Sequence, residues 1–177
     1  RLVEGKLNYD IIFQPQLKGL DYNHLALSDI RLSVDSIFYC APDARLKIVE
    51  CSMKEKSGIV LSSLTGGIAL DSTKVSLPRM TLTTPDSNVE MECDMDLNAF
   101  DVKNPGKVYL RFFAEIGKQD VMRFAGDMPQ QFIMRYPNHP ISVRLSLNGN
   151  MNHARISAFD VSLPAAFKLN AEGYAVN

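Results

Sequence analysis

Carboxylates occupy every second position along one short segment, and they come nearest in this sequence to a metal-binding or acid–base pattern. The four residues are Glu90, Glu92, Asp94 and Asp96. Such even spacing puts the carboxylates in a row along one face of a strand, whereas a calcium site needs oxygen ligands that converge around a loop. We therefore predict that this acidic ladder is a solvent-exposed face and not a metal site.

The other residues with catalytic potential are scattered along the chain. His24, His139 and His153 are far apart, and none stands at metal-ligand spacing from a Cys, Asp or Glu. Asp71-Ser72-Thr73 has a carboxylate beside hydroxyls but lacks a nucleophile elbow, and Gly66-Gly67 lacks the downstream Lys-Ser/Thr of a phosphate loop. We predict no catalytic residues, no metal and no cofactor, and hence a protein that is not an enzyme.

Length and composition indicate a single β-rich domain over residues 1–177. Hydrophobic residues make up 46% and charged residues 22%, as in ordinary globular chains. The 19 basic and 20 acidic residues give a net charge of -1, which disfavours nucleic acid as a partner. No apolar stretch is long enough to span a membrane, and no signal peptide is present.

Because the chain begins at Arg1 and Phe167–Gly173 is still strand-like, we expect an excised segment of a longer β array.

The three cysteines are an odd number with no paired spacing. Cys51 and Cys93 are in phase with apolar neighbours, which favours buried free thiols. A Cys40–Cys51 bridge across a hairpin is the alternative, and sequence does not give its geometry.

Alternation of apolar and polar residues recurs along nearly the whole chain, and it is clearest where the acidic ladder alternates with an apolar set. About eleven such runs, separated by turn-forming clusters, predict a mainly antiparallel all-β fold. Phase changes between Leu27 and Ile30 and between Leu77 and Met80 predict bulges. The predicted strands are Leu7–Phe13, Ile30–Val34, Leu46–Met53, Ile59–Leu61, Ile68–Leu70, Val75–Leu82, Val89–Leu97, Val108–Ile116, Ile141–Leu147, Ile156–Leu163 and Phe167–Ala171.

One segment, about residues 119–136, departs from this two-residue period, because its apolar residues recur at three- and four-residue steps. Asp120 is near the expected N-cap, Pro129 suits the first turn of a second short helix, and Pro137 should end the segment. Its polar positions carry mixed charge, so we predict a helical lid on the sheet and not a membrane-surface helix. The apolar stripe of this lid comprises Val121, Phe124, Met128, Phe132 and Ile133.

A sheet of about eleven strands spaced about 4.8 Å apart would be about 50 Å wide if it were flat. A twisted sheet of that size curls, splits into two packed layers or closes. In a closed β-sandwich the apolar faces cover each other, whereas in a curled open sheet they line a groove. The alternation is the same in both cases, and physical considerations alone favour the sandwich.

Four segments carry a family resemblance, namely Ser63–Ser87, Gly117–Phe124, Asn148–Asn150 and Leu163–Gly173. From about Leu25 to Asn177 the chain resembles the AsmA/TamB-like proteins of Bacteroidetes, called translocation and assembly module proteins. The resemblance implies a segment of a long periplasmic protein, anchored in the inner membrane, whose β-sheet forms an extended apolar groove. It also implies a role in outer-membrane biogenesis, either in lipid movement between the membranes or in assembly of outer-membrane proteins.

With this resemblance included, we expect a curled, mostly antiparallel sheet with an apolar groove and one helical lid. Its function would be to hold the acyl chains of phospholipid or another lipid between the two membranes. The alternatives are a scaffold that binds strands of outer-membrane proteins at an open sheet edge, and a β-sandwich that serves as a spacer. The predicted groove lining shares one phase and comprises Val89, Met91, Cys93, Met95, Leu97, Leu110, Phe112, Val143, Leu145 and Leu147.

Overall fold

The alternating runs form β-strands, and the segment with helical periodicity forms two short helices. A computed structural model describes residues 1–17, 19–124 and 129–176, except for the side chain of Phe132. The elements are β1 (Leu2–Asp10), β2 (His24–Cys40), β3 (Asp43–Glu55), β4 (Val60–Leu70), β5 (Lys74–Thr83), β6 (Asn88–Asp96), β7 (Val108–Ile116), α1 (Lys118–Phe124), α2 (Gln130–Arg135), β8 (Ile141–Gly149), β9 (His153–Leu163) and β10 (Phe167–Val176).

All of these strands belong to one antiparallel sheet, in which each strand pairs with the next one in sequence. Within the described ranges, β1 and β10 do not pair with each other, so the sheet is open. Strands make extensive contacts only with their sequence neighbours, so no second sheet covers the first in this part of the chain. The open, curled antiparallel sheet is confirmed, and the β-sandwich alternative is wrong.

Antiparallel pairing of successive strands puts alternate connections at opposite ends of the sheet. We call the end that carries α1 and α2 the helical end; its connections are 11–23, 56–59, 84–87, 117–140 and 164–166. The distal end carries connections 41–42, 71–73, 97–107 and 150–152.

Single-layer architecture leaves an unusually large exposed surface. The chain exposes 12016 Å², whereas a compact monomer of the same mass would expose about 8,600 Å². Few apolar residues are fully buried, and most of them lie near the helical end. The buried apolar residues in the described ranges are Leu61, Ala99, Ala114, Tyr136 and Leu163.

Register shifts are concentrated in the N-terminal part of the sheet. The predicted phase changes at Leu27/Ile30 and Leu77/Met80 coincide with such shifts and are confirmed. A bulge bends its strand and increases the twist, so these shifts favour curvature. By contrast, β6–β7 and β7–β8 pair without a shift, so the central strands are regular.

The sheet has ten strands in the described ranges because two of the predicted runs, Ile59–Leu61 and Ile68–Leu70, merge into the single strand β4, which begins at Val60. Gly66-Gly67, expected as a turn, lies inside that strand. Gly66 has φ +149°, and a methyl group there would lie 2.4 Å from the carbonyl oxygen of Arg79. Glycine is therefore needed because β4 approaches β5 closely at this point.

The first predicted strand is also displaced. The sequence predicted Leu7–Phe13, whereas β1 ends at Asp10. Ile11 then donates its backbone N–H to Asn23, and Gln14 donates to Ile11, so the chain turns there. Ile12 and Phe13 consequently lie in an exposed turn, although their apolar character had suggested that the strand continued.

The helical segment is confirmed, and it divides into α1 and α2 within the connection from β7 to β8. Pro129 directly precedes α2, and the helix ends at Arg135, before Pro137, as predicted. Asp120, however, is not an N-cap. It lies in the first turn of α1 with its side chain buried.

Candidate functional site: the apolar face of the sheet

Strand register brings the predicted lining residues together on one face of β6, β7 and β8. Pairing partners face the same side of an antiparallel sheet, so apolar residues that pair form continuous rows. Met95 and Val108 form an additional pair towards the distal end. The three complete rows are Val89–Ala114–Val143, Met91–Phe112–Leu145 and Cys93–Leu110–Leu147.

Leu97 is the exception among the predicted lining residues. The predicted strand Val89–Leu97 ends one residue earlier, at Asp96. The backbone N–H of Ala99 donates to the carbonyl of Asp96 at 2.9 Å, which closes a turn immediately after β6. Leu97 therefore leaves the row and is 54% exposed.

The rows extend beyond the predicted lining. Met80 on β5 pairs with Met91, and Phe159 on β9 pairs with Leu145 and Ala171. The alternating phase of β5 and β9 was visible in the sequence, but only the register shows which of their residues continue each row. From β4 to β10 this apolar face is about 30 Å wide and about 20 Å long, or about 600 Å². That area is at the upper end of what monomeric proteins expose.

All nine lining residues that lie on this face are half-buried. Much of their shielding comes from neighbours in the same sheet, because within the described ranges no second sheet packs against them. Burial raises the pKa of the Cys51 thiol, and burial together with the charge of Asp94 raises the pKa of the Cys93 thiol. Both shifts favour the protonated thiol over the thiolate.

The cysteines are free thiols. Cys51 pairs with Leu32 in the β2–β3 hairpin, whereas Cys40 pairs with Asp43 near its tip. Cys40 lies eight residues beyond Leu32 on the same strand, which separates the two cysteines by about 27 Å. A disulfide requires Cα atoms within about 7 Å, so the alternative Cys40–Cys51 bridge is wrong.

The opposite, polar face carries the acidic ladder together with arginines. Glu90 lies 3.6 Å from Arg79, and Glu92 lies 3.5 Å from Arg111. Both carboxylates keep at least 40% of their side-chain surface exposed, so these ion pairs contribute little to stability. In the described parts of the chain, no group of three or more His, Cys, Asp or Glu residues could hold a metal ion.

Buried polar residues are concentrated at the helical end, and the sequence analysis missed them. Asp21 accepts hydrogen bonds from the backbone of Leu17 and Asn23 in the β1–β2 connection. The Leu17 bond is the main reason that the pKa of Asp21 is lowered. The complete buried polar set among the described residues is Asp21, Glu55, Thr84, Ser87 and Asp120.

Asp120 joins α1 to the β5–β6 connection. Its carboxylate accepts hydrogen bonds from the hydroxyls of Thr84 and Ser87, the latter at 2.5 Å. Ser87 Oγ in turn accepts the backbone N–H of Gly117 at 3.0 Å. The residues Pro85-Asp86-Ser87 are typical of a turn, and nothing local in the sequence indicates hydrogen bonds to a residue more than thirty positions away.

The predicted apolar stripe of the lid is only partly covered. Val121 is half-buried, Phe124 is 53% exposed, and Ile133 is also exposed. Met128 lies outside the described residues, as does the side chain of Phe132.

Comparison of the chain with protein-family models, curated proteins and solved structures finds no match. The resemblance to AsmA/TamB-like proteins consequently stays a prediction. Neither helix in the described ranges is long and apolar enough to cross a membrane. The distinguishing feature of the chain is its broad apolar face, which no second sheet covers in the part of the chain that the structure describes.

Proposed function

We propose that this chain holds the acyl chains of lipids against the apolar face of its sheet. The observation that supports the proposal is the set of apolar rows across β6, β7 and β8, over which no other described strand packs. Each CH₂ group that an acyl chain buries there is worth about 0.8 kcal/mol. A lipid tail of about 16 carbons would thus recover on the order of 10 kcal/mol, before the entropic cost of binding.

The chemistry of the rows favours an acyl chain over a peptide backbone. Within the three central rows, the side chains are aliphatic, aromatic, thioether or thiol. A bound peptide would leave backbone N–H and C=O groups against these side chains without partners, at considerable cost. Flexible thioethers at Met80 and Met91 can adapt to an irregular hydrocarbon surface.

The cellular part of the proposal comes from the family resemblance. In that setting, the chain is a segment of a periplasmic protein anchored in the inner membrane, and it carries phospholipid between the inner and outer membranes. Along each row, neighbouring strands offer similar apolar contacts. A lipid tail could therefore move from strand to strand without crossing a large energy barrier.

A second candidate function is favoured by the open edges of the sheet. Every residue of β10 is exposed, including the apolar side chains of Phe167, Leu169 and Tyr174. An unpaired edge of this kind can accept an extra strand through backbone hydrogen bonds. The ligand would then be an unfolded outer-membrane protein, and the apolar face would not be the site of contact.

Site-specific photo-crosslinking in the bacterial envelope tests the two functions. A photoreactive phenylalanine analogue is placed at Phe112, on the apolar face, or at its neighbour Phe113, on the polar face. The lipid proposal predicts phospholipid adducts at Phe112 and few at Phe113. Adducts with outer-membrane proteins at Leu169 on β10, and none with lipid at Phe112, would instead support strand addition. No adduct at Phe112 and no binding at β10 would contradict both.

A further inference from the structure

We propose that α1 is a latched lid: a buried network of Asp120, Thr84 and Ser87 holds it over the helical end of the apolar face. The covering itself is inferred from geometry and burial, while its purpose rests on the proposed function of the face. Release of this latch would uncover Ala114, the central residue of the row Val89–Ala114–Val143, and extend the surface available to an acyl chain.

The course of α1 follows from three contacts. Gly117 lies so close to the β5–β6 connection that a methyl group on it would be 2.4 Å from the carbonyl oxygen of Asp86. Asp120 then bonds to Thr84 in the same connection. At the last turn of α1, the Nε of Arg123 would be 3.8 Å from a methyl group on Gly58, in the β3–β4 connection. The helix therefore runs across the strand ends from β7 towards β4.

Helix length agrees with this course. Seven residues of α-helix rise about 10 Å, whereas the three strand spacings from β7 to β4 measure about 14 Å, and the long side chain of Arg123 covers the remaining distance. With this side chain, α1 is long enough to pass over the ends of β6 and β5 and reach the next connection.

Burial on the apolar face changes along β7. Ala114, near the helical end, is completely buried, whereas Phe112 and Leu110, farther from it, are half-buried. Leu61 is likewise buried where β4 begins, at the helical end. Because no second sheet lies over this face among the described residues, the extra shielding near β4 and β7 at the helical end points to α1.

The latch is suited to holding the lid because its central group is a buried carboxylate. Asp120 is 1% exposed, and its charge is compensated by hydrogen bonds from Thr84 and Ser87 and by Arg123 at 3.4 Å. A carboxylate that loses such donors is strongly favoured to return to water. Removal of the two hydroxyls should therefore release α1 and leave the strands paired.

Thiol labelling tests whether α1 covers Ala114. The native cysteines are first removed with C40S, C51A and C93A, and a single probe is introduced by A114C. A matched probe, L110C, lies on the same strand and face but farther from the helical end. The latch is broken with T84V/S87A, and S72A in the β4–β5 connection at the distal end is the control. Maleimide modification rates are measured together with hydrogen exchange of the α1 amides.

The proposal predicts that T84V/S87A raises the modification rate at position 114 by about tenfold or more and speeds exchange in α1. The rate at position 110 and the S72A control should be unchanged. Faster exchange in α1 without faster labelling at position 114 would show that α1 is not the cover. Unchanged exchange in α1 would show that the network is not a latch.

A rise at both positions would mean that the sheet itself has opened in the double variant. The single variant S87A is then used with the same two probes, and an equal rise in labelling rate at both positions again overturns the proposal.

Binding of a pyrene-labelled fatty acid separates the lid from the proposed function. Faster labelling at position 114 with no fatty-acid binding by any variant would retain the lid and reject the lipid proposal.

Discussion

Phe112 and Phe113 are adjacent in β7, but they lie on opposite faces of the sheet. Phe112 pairs with Met91 and Leu145 on the apolar face. Phe113 pairs with Glu90 and Arg144, and the guanidinium of Arg144 lies 6.0 Å from the Phe113 ring centroid. The same residue type thus contacts hydrocarbon on one side of the backbone and charged groups on the other, which provides a matched pair for experiments.

The first prediction concerns lipid binding. Phe112→Glu should weaken binding of a fluorescent fatty acid by at least about tenfold, because a bound acyl chain would desolvate the new carboxylate without a partner. Phe113→Glu places the same charge on the polar face and should change the dissociation constant less than about twofold. Titration by fluorescence measures both values. Equal losses in the two variants would contradict binding on the apolar face.

The second prediction concerns the close approach of β4 to β5. Gly66→Ala should lower the free energy of unfolding by about 2–4 kcal/mol, because the methyl group would meet the Arg79 carbonyl and φ is +149°. Gly67→Ala is the matched control, since its nearest contact would be Pro78 at 3.4 Å, and its cost should be below about 1 kcal/mol. Urea unfolding measures both. Similar losses in the free energy of unfolding at the two positions would contradict the register between β4 and β5.

The third prediction concerns the buried polar network. Ser87→Ala removes a hydroxyl that donates to Asp120 and accepts from Gly117, so it should lower the free energy of unfolding by about 1–3 kcal/mol. Ser72→Ala, in an exposed turn at the distal end, should cost less than about 0.5 kcal/mol. Denaturant unfolding with constant m-values is the measurement. A negligible cost for Ser87→Ala would show that the network contributes no stability.

The fourth prediction concerns pH. Burial alone would raise the pKa of Glu55, but hydrogen bonds from Ser57 and from the backbone of Ala26 and Lys56 lower it below its ordinary value of 4.5. The ionised form therefore stabilises the fold above about pH 4.5, and that contribution is lost as the pH falls through the lower folded value. Glu55→Gln should reduce the dependence of Tm on pH between about 5 and 3. An unchanged slope in Glu55→Gln would contradict this role.

The fifth prediction concerns the free thiols. Cys40 is exposed near a hairpin tip, whereas Cys51 and Cys93 are half-buried and have raised pKa values because of burial. The thiolate is the reactive form, so Cys40 should be alkylated at least about tenfold faster at neutral pH. Mass spectrometry after timed alkylation identifies the order. If Cys40 resisted alkylation without reductant and became reactive after reductant was added, it would be in a disulfide. A disulfide to Cys51 would contradict the separation of the two residues.

Most strands could be predicted because the two-residue alternation is local. β7 begins at Val108 and ends at Ile116, as the pattern predicts, since polar or turn-forming residues flank a run that alternates regularly. β4 could not be predicted as one strand, because Gly66-Gly67 has the composition of a turn. The reason for these glycines is the close approach of Arg79 and Met80 on β5, which sequence alone does not reveal.

The sequence predicts which face of the sheet each lining residue lies on, but it does not predict whether a second sheet covers that face. Alternation places Phe112 and Phe113 on opposite faces in either a sandwich or an open sheet. Only contacts between strands far apart in sequence distinguish these two architectures. Asp120 illustrates the same limit. An acidic residue early in a helix suggests an N-cap, but Thr84 and Ser87 convert it into a buried attachment to another part of the chain.

The strictly sequential order of the sheet has a consequence for how the chain can be made and lengthened. Each strand needs only the preceding strand as its template, so the fold can grow hairpin by hairpin as the chain emerges, without waiting for distant segments. Stability then resembles a sum of nearest-neighbour terms. Insertion of one more hairpin would widen the apolar face by about 10 Å and leave the other pairings intact. The number of hairpins in such a protein therefore sets the distance that the apolar path covers.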